Sequence, residues 1–133
     1  NINVGVRLLN VSGQAGSLTK LGSGLLTLTN GANSFTGGTT INRGTLGVSA
    51  IADSGTSNIG TGGSLAFGGG TLNFTGASGS TARTLAFNGP GTIHVASGSS
   101  LTLTNGGWTG NGSFTKTGAG RMIGSRNHRA VPR

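Results

Sequence analysis

The chain has no cysteine, no tyrosine and a single carboxylate side chain, Asp53, among its 133 residues. Each absence removes a class of chemistry. Without cysteine there is neither a disulfide framework nor a thiolate metal site. With Asp53 alone, the two carboxylates of ordinary glycoside hydrolysis cannot be assembled. His94, His128 and Asp53 stand dozens of positions apart with no metal-ligand spacing. A serine triad would need one of those histidines beside Asp53, and no Gly-x-Ser-x-Gly sits at a strand-to-helix turn. No run approaches the ~18 to 20 apolar residues of a membrane-crossing helix, and Asn1 opens the chain with neither Met nor a signal-like segment. The sequence reads as an internal fragment of a longer polypeptide. It is not expected to be an enzyme, and no catalytic, cofactor-binding or metal-ligating residues are expected in it.

Charge of one sign is nearly missing too, leaving nine basic residues against Asp53 and a net charge of +8. The excess does not make a nucleic-acid surface. Arg7, Lys20, Arg43, Arg83 and Lys116 are scattered singly, whereas Arg121, Arg126, Arg129 and Arg133 crowd the C-terminus. Neither arrangement is a phosphate-tracking stripe, and aromatic residues are not interleaved with the bases as stacking platforms. Residues 121–133 read as a basic, non-repeat tail, disordered or artefactual, whose functional alternative is contact with anionic lipid or polysaccharide.

What the chain has in excess is glycine, 29 residues. Glycine at this density accompanies disorder when large apolar residues are scarce, but here they recur at regular intervals with threonine between. Period-two alternation marks seven short strands, at Leu26/Leu28, Leu46/Val48, Leu65/Phe67, Leu72/Phe74, Leu85/Phe87, Ile93/Val95 and Leu101/Leu103. Turn signals separate them, among them Asn30-Gly31, Gly62-Gly63, Gly68-Gly69-Gly70, Asn88-Gly89-Pro90-Gly91 and Asn105-Gly106. Only residues 49–58 could hold a turn or two of helix, and their Asp-Ser-Gly and Ser-Asn content favours a loop.

The strands also repeat. Leu26-Thr27-Leu28-Thr29-Asn30-Gly31 recurs letter for letter at 101–106, and Gly16-Ser17-Leu18-Thr19-Lys20 returns as Gly112-Ser113-Phe114-Thr115-Lys116. Self-similar short strands predict an all-β solenoid, a right-handed parallel β-helix in which each coil buries its apolar face on its neighbours. At ~20 residues per coil, residues 1–120 make about six coils, stacked ~4.8 Å apart.

Residues 16–46 contain Leu18-Thr19-Lys20-Leu21-Gly22-Ser23-Gly24, then Leu26-Thr27-Leu28, Asn33-Ser34-Phe35-Thr36-Gly37-Gly38-Thr39-Thr40-Ile41-Asn42 and Gly44-Thr45-Leu46. This block resembles the autotransporter-associated β-strand repeat, also called the passenger-associated transport repeat. Residues 112–120 resemble the opening of a second copy, which is interrupted after Gly120. The resemblance implies the extracellular β-helical stalk of a bacterial passenger, exported across the outer membrane with its own C-terminal barrel as partner and folding coil upon coil outside the cell. The competing expectation is an adhesin whose outward residues bind surface glycans; a polysaccharide-active enzyme is a remote third. Neither nucleic-acid binding nor direct membrane insertion is expected, and cut coil ends predict self-association.

Individual residues carry structural readings beside functional ones. Asp53 suits an Asx-type turn with Ser54 and Gly55. His94 is expected on the outward face of its strand. The pairs Thr27/Thr29 and Thr102/Thr104 could order water or bind a crystalline polysaccharide, but β-branched threonine is also an ordinary outward strand residue. Trp108, the sole tryptophan, suits a packed anchor at a coil corner or an exposed sugar platform. Three formal glycosylation sequons, at Asn10, Asn73 and Asn111, fall within the range of chance in so Asn/Ser/Thr-rich a chain.

Overall fold

A computed structural model describes residues 2–53, 57–104 and 108–124 of the chain. Thirteen strands follow one another in these residues: β1 (Ile2–Val4), β2 (Leu18–Lys20), β3 (Leu25–Leu28), β4 (Thr39–Ile41), β5 (Thr45–Val48), β6 (Leu65–Phe67), β7 (Thr71–Phe74), β8 (Ser78–Thr81), β9 (Leu85–Phe87), β10 (Gly91–Val95), β11 (Ser100–Leu103), β12 (Phe114–Thr117) and β13 (Arg121–Ile123). All pairings between named strands are parallel. They form three sheets, in the orders β1-β3-β5-β7-β10-β12, β2-β4-β6-β9 and β13-β11-β8. The chain visits the sheets in turn, so it winds as a β-solenoid.

Register gives the coil length. In the six-stranded sheet Ile2 pairs with Leu26, Leu26 with Leu46, Leu46 with Leu72, Leu72 with Ile93 and Gly91 with Phe114. The advances are 24, 20, 26, 21 and 23 residues. The six strands are thus separated by five turns, not the six coils that a uniform 20-residue repeat implies. The difference lies on the third side of the solenoid. Long connections, described at 5–17, 29–38, 49–53 and 57–64, occupy that side in the first coils, and a regular sheet appears there only from β8 onward.

The core is the space the three sheets enclose. Leu46, Leu72 and Ile93 stack as one buried row, Val48, Phe74 and Val95 as a second, and Ile41, Phe67 and Phe87 as a third. Removing these large side chains from water is the main force holding coil to coil, at about 1.5–3 kcal/mol for each. Where the chain must turn between sheets, glycine permits the contact. Gly91 opens β10 at a point where a Cβ would lie 2.7 Å from atoms of both Phe67 and Phe87.

Each of the seven strands marked by alternation forms, and six more appear. β8, Ser-Gly-Ser-Thr, has no apolar alternation; Gly79 stands where a side chain would lie 2.7 Å from the buried Phe74 ring. β13 begins the segment read as a basic tail. Its pairing of Met122 with Leu101, and the packing of Met122 on the core, carry the stack to Ile123. No helix occurs among the described residues, so the stretch around 49–58 is not helical where it is described.

Candidate functional site

Among the described residues the six-stranded sheet has more strands than either of the other two, and its outward face is lined by polar side chains. Thr45, Thr71, Thr92 and Thr115 stand in register on successive strands, and beside them run Thr27, Gly47, Asn73, His94 and Thr117. A shallow concavity of about 310 Å³ lies over Thr45, Thr71, Asn73, Thr92, His94 and Thr117. None of these side chains is a carboxylate, an ammonium or a guanidinium. His94 Nδ1 and Thr117 Oγ1 are 2.9 Å apart. The face can therefore offer hydroxyls, an amide and an imidazole, but no acid–base pair. Sequence reading missed this threonine column because its members are 26, 21 and 23 positions apart, without a fixed period.

The threonine pairs singled out from the repeated hexapeptide have a different fate. Leu25–Leu28 lies in the six-stranded sheet, whereas its copy Leu101–Leu103 lies in the sheet of β8, β11 and β13. The two pairs are on different sides of the solenoid and do not share a face. Thr29 Oγ1 reaches back to the Val4 carbonyl and Thr104 Oγ1 to the Thr81 carbonyl, at 3.4 and 3.2 Å. Both hydroxyls tie the exit of a strand to the preceding coil.

Polar side chains are buried on the side where long connections replace a sheet. Asn33 Oδ1 accepts from Leu8 N at 2.8 Å, and Asn33 Nδ2 donates to the Asn58 carbonyl at 2.7 Å. Asn58 Oδ1 accepts from Ser49 N and Ala50 N, while its Nδ2 donates to the Asn30 carbonyl. One coil further on, Arg83 donates to the carbonyls of Ile51, Ala52 and Gly60 at 2.6, 3.3 and 2.7 Å. These amides and the guanidinium supply the hydrogen bonds that irregular buried backbone would otherwise lack.

Asp53 belongs to the same network. Its Oδ1 accepts from Thr81 Oγ1 at 2.5 Å, its Oδ2 from Ala82 N at 2.8 Å, and Arg83 Nη1 lies 3.7 Å from Oδ1. The carboxylate bridges two coils rather than standing free as a base. Burial lowers the Arg83 guanidinium from the usual arginine range, and the Asp53 charge opposes that shift. Ser54 and Gly55 of the expected Asx turn lie outside the described residues, as do His128 and Asn105-Gly106. His94 and Asp53 are not brought together: one bonds to Thr117 on the six-stranded sheet, the other to Thr81 on another side.

Trp108 is half-buried, with ring centroids 5.3 Å from Phe87 and 5.0 Å from Phe114. It is a packed anchor, not an open sugar platform. Among the described residues no group of three or more His, Cys, Asp or Glu could hold a metal, and no helix is long and apolar enough to cross a membrane.

Two lysines complete the inventory. Lys20 ends β2 and donates from Nζ to the carbonyls of Gly22 and, at 3.4 Å, Arg43. Lys116 in β12 donates to the carbonyls of Gly118 and Gly120, at 2.7 and 2.5 Å. Each stands at the head of a Lys-x-Gly-x-Gly corner, the first joining β2 to β3 and the second β12 to β13.

Comparison with known proteins agrees with this architecture. Residues 18–48 match the passenger-associated-transport-repeat family. Over 110 residues the chain is 40% identical to the adhesin BmaC autotransporter of Brucella suis biovar 1 (strain 1330), an alignment covering 78% of this chain. The alignment spans only 3% of that far longer relative. No solved structure matches the chain. With parallel coils stacked on both sides of residues 18–48, the chain is a passenger-associated-transport-repeat fragment folded as a β-solenoid and similar to a segment of an autotransporter adhesin.

Proposed function

We propose that this chain is a segment of the structural stalk of an autotransporter passenger, displayed on the outer surface of a bacterium and exported with the help of a C-terminal outer-membrane barrel elsewhere in the parent protein. One observation carries the reading: residues 18–48, which match the transport repeat, form β2 to β5 inside a continuous parallel stack. A stack that grows by one coil at a time suits a chain emerging linearly from a pore, because each new coil finds its hydrogen-bonding and apolar partners already in place. The lack of cysteine and the low charge leave no disulfide to reduce and few ionised groups to desolvate on the way.

No enzymatic role is proposed. The one carboxylate is bonded to Thr81 and Ala82, and the histidine that is described bonds to a threonine on a different side. The test is export itself. In the parent passenger, replacing residues 18–48 with an equal length of flexible Gly/Ser linker should lower the amount of passenger cleaved by external protease on intact cells several-fold. Unchanged surface exposure would sink the transport role.

A second reading, adhesion, is favoured by the similarity to an autotransporter adhesin and by the neutral, hydroxyl-lined face around Asn73 and His94. The ligand class suited to that face is an uncharged glycan, since it has no cationic side chains to offer phosphate or sulfate. Glycan binding that survives Thr71→Val and Thr92→Val together would place adhesion elsewhere in the parent protein.

A further inference from the structure

The two Lys-x-Gly-x-Gly corners share one contact, the lysine ammonium on the carbonyl two positions on, although Gly118 takes a φ of +85° and Gly22 does not, and although their surroundings differ. Lys20 lies in the four-stranded sheet, Lys116 in the six-stranded one. Each occupies an inward position in register with a fully buried isoleucine, Ile41 beside Lys20 and Ile93 beside Lys116. Elsewhere in these rows the inward residue is apolar, as at Phe67, Phe87, Leu46 and Leu72. An inward lysine can keep its charge only if the ammonium finds acceptors.

In both corners those acceptors are backbone carbonyls. Lys20 is 7% exposed and reaches Gly22 and Arg43, while Lys116 reaches Gly118 and Gly120. No carboxylate takes part, because Asp53 bonds to Thr81 and Ala82. The glycines leave room for the cation: a Cβ on Gly44, whose φ is +69°, would lie 2.6 Å from the Lys20 Nζ and 2.3 and 2.5 Å from the Gly22 and Gly24 carbonyl oxygens. Several carbonyl oxygens thus converge on one small volume, and a compact cation with tetrahedral N–H donors is the group that meets them at hydrogen-bonding distance.

We propose that the Lys-x-Gly-x-Gly corner is a primary-ammonium site built from backbone carbonyls, with the repeat lysine as its built-in occupant. The lysine's own turn supplies most of the acceptors, two and four positions on in Lys116 and two positions on in Lys20. The shared contact therefore closes within its own segment, with Arg43 adding a second acceptor for Lys20 from the next coil, and the same five-residue phrase works on different sheets of the solenoid. A guanidinium is too broad for the site, and a quaternary ammonium has no N–H to donate.

The experiment uses the whole chain, with Lys20→Ala to empty the site while leaving space for the alkyl stem. Its Tm is measured in n-propylammonium chloride and, at equal concentration, in tetramethylammonium chloride. The variant is expected to melt roughly 5–10 °C below wild type. Propylammonium should restore part of that loss, tetramethylammonium should not, and wild type should respond alike to both salts. Equal responses of the variant to the two salts would overturn the proposal. Lys20→Met keeps the apolar stem and lacks only the charge, so a wild-type Tm for that variant would overturn it as well. Should Lys20→Ala fail to fold, Lys116→Ala gives the same comparison at a half-buried position near the other end of the stack. The inference stands on corner geometry alone. Loss of the export role with the ammonium response intact would fault the functional reading and leave the site standing.

Discussion

The ring of Phe87 lies flat on that of Phe67, centroids 5.1 Å apart and planes within 7°, because the two residues face each other directly across paired strands β9 and β6. Phe87 also meets Trp108 and Phe114 edge-on or tilted, at 5.3 and 5.5 Å. One side chain thereby joins aromatic residues contributed by three different coils. Apolar burial and ring geometry act together here, and the ring contacts add about 0.5–1.5 kcal/mol per pair beyond burial.

Phe87→Ala removes all three ring contacts and opens a cavity that the neighbouring coils cannot close without breaking register. The expected cost is about 3–5 kcal/mol in urea unfolding. Trp108 is the only tryptophan, so its emission reports the site directly and should shift to the red in the folded variant. An unshifted emission with a loss below about 1 kcal/mol would show that the cluster contributes little to holding the coils together.

Asp53 and Arg83 make a prediction about charge. Asp53→Asn leaves one oxygen to accept from Thr81 or Ala82 and leaves the buried guanidinium with no counter-charge. The Asp53 side chain is 46% exposed, so solvent screening limits the loss to about 1–2 kcal/mol. Arg83→Met costs more, about 3 kcal/mol or above, because the carbonyls of Ile51 and Gly60 lose their donors in a dry interior. If the two variants unfold at the same urea concentration, the carbonyl bonds of Arg83 are not the larger contribution.

How much of this was legible in the sequence depends on which physical signal each part leaves. Leu65, Phe67, Leu72 and Phe74 alternate with small or polar residues, and alternation is the direct trace of a strand with one buried face. β8 leaves no such trace, since its inward residues are Gly79, which makes way for Phe74, and the polar Thr81. The letter-for-letter repeat of Leu-Thr-Leu-Thr-Asn-Gly was legible as repetition but not as position: its copies sit on different sheets, because coil lengths vary between 20 and 26 residues. Leu8, Asn33, Asn58, Arg83 and Trp108 follow one another at steps of 25, and hydrogen bonds join Leu8 to Asn33 and Asn33 to Asn58. That spacing went unread because the residue types change at each step, from apolar to amide to guanidinium to indole.

Glycine substitutions separate turn chemistry from open space within the same corner. Gly24 has nothing within 4 Å of its would-be Cβ and a φ that ordinary residues adopt. Gly24→Ala should be neutral or stabilise by up to about 1 kcal/mol through the unfolded chain. Gly44→Ala, strained in φ and facing the Gly22 and Gly24 carbonyls and the Lys20 ammonium, should cost about 2 kcal/mol or more. Equal midpoints for the two variants in parallel urea titrations would contradict the corner geometry.

The last prediction concerns Asn58, which is 1% exposed and holds three segments at once. Its amide oxygen accepts from Ser49 N at 2.7 Å and Ala50 N at 3.0 Å, and its amide nitrogen donates to the Asn30 carbonyl at 3.0 Å. Asn58→Leu keeps nearly the same volume, so the loss it causes is one of polar satisfaction rather than packing. Two backbone N–H groups and one carbonyl then lose their partners where little water can reach them. The expected destabilisation is about 2–4 kcal/mol, with each unpaired buried group contributing roughly 1–3 kcal/mol before relaxation. Amide hydrogen exchange supplies the sharper test, because Ser49 and Ala50 should exchange much faster in the variant while Leu72 and Ile93, deep in the stacked rows, keep their protection. Uniform acceleration across all of these amides would mean that Asn58 sets global stability and does not specifically secure the exit from β5.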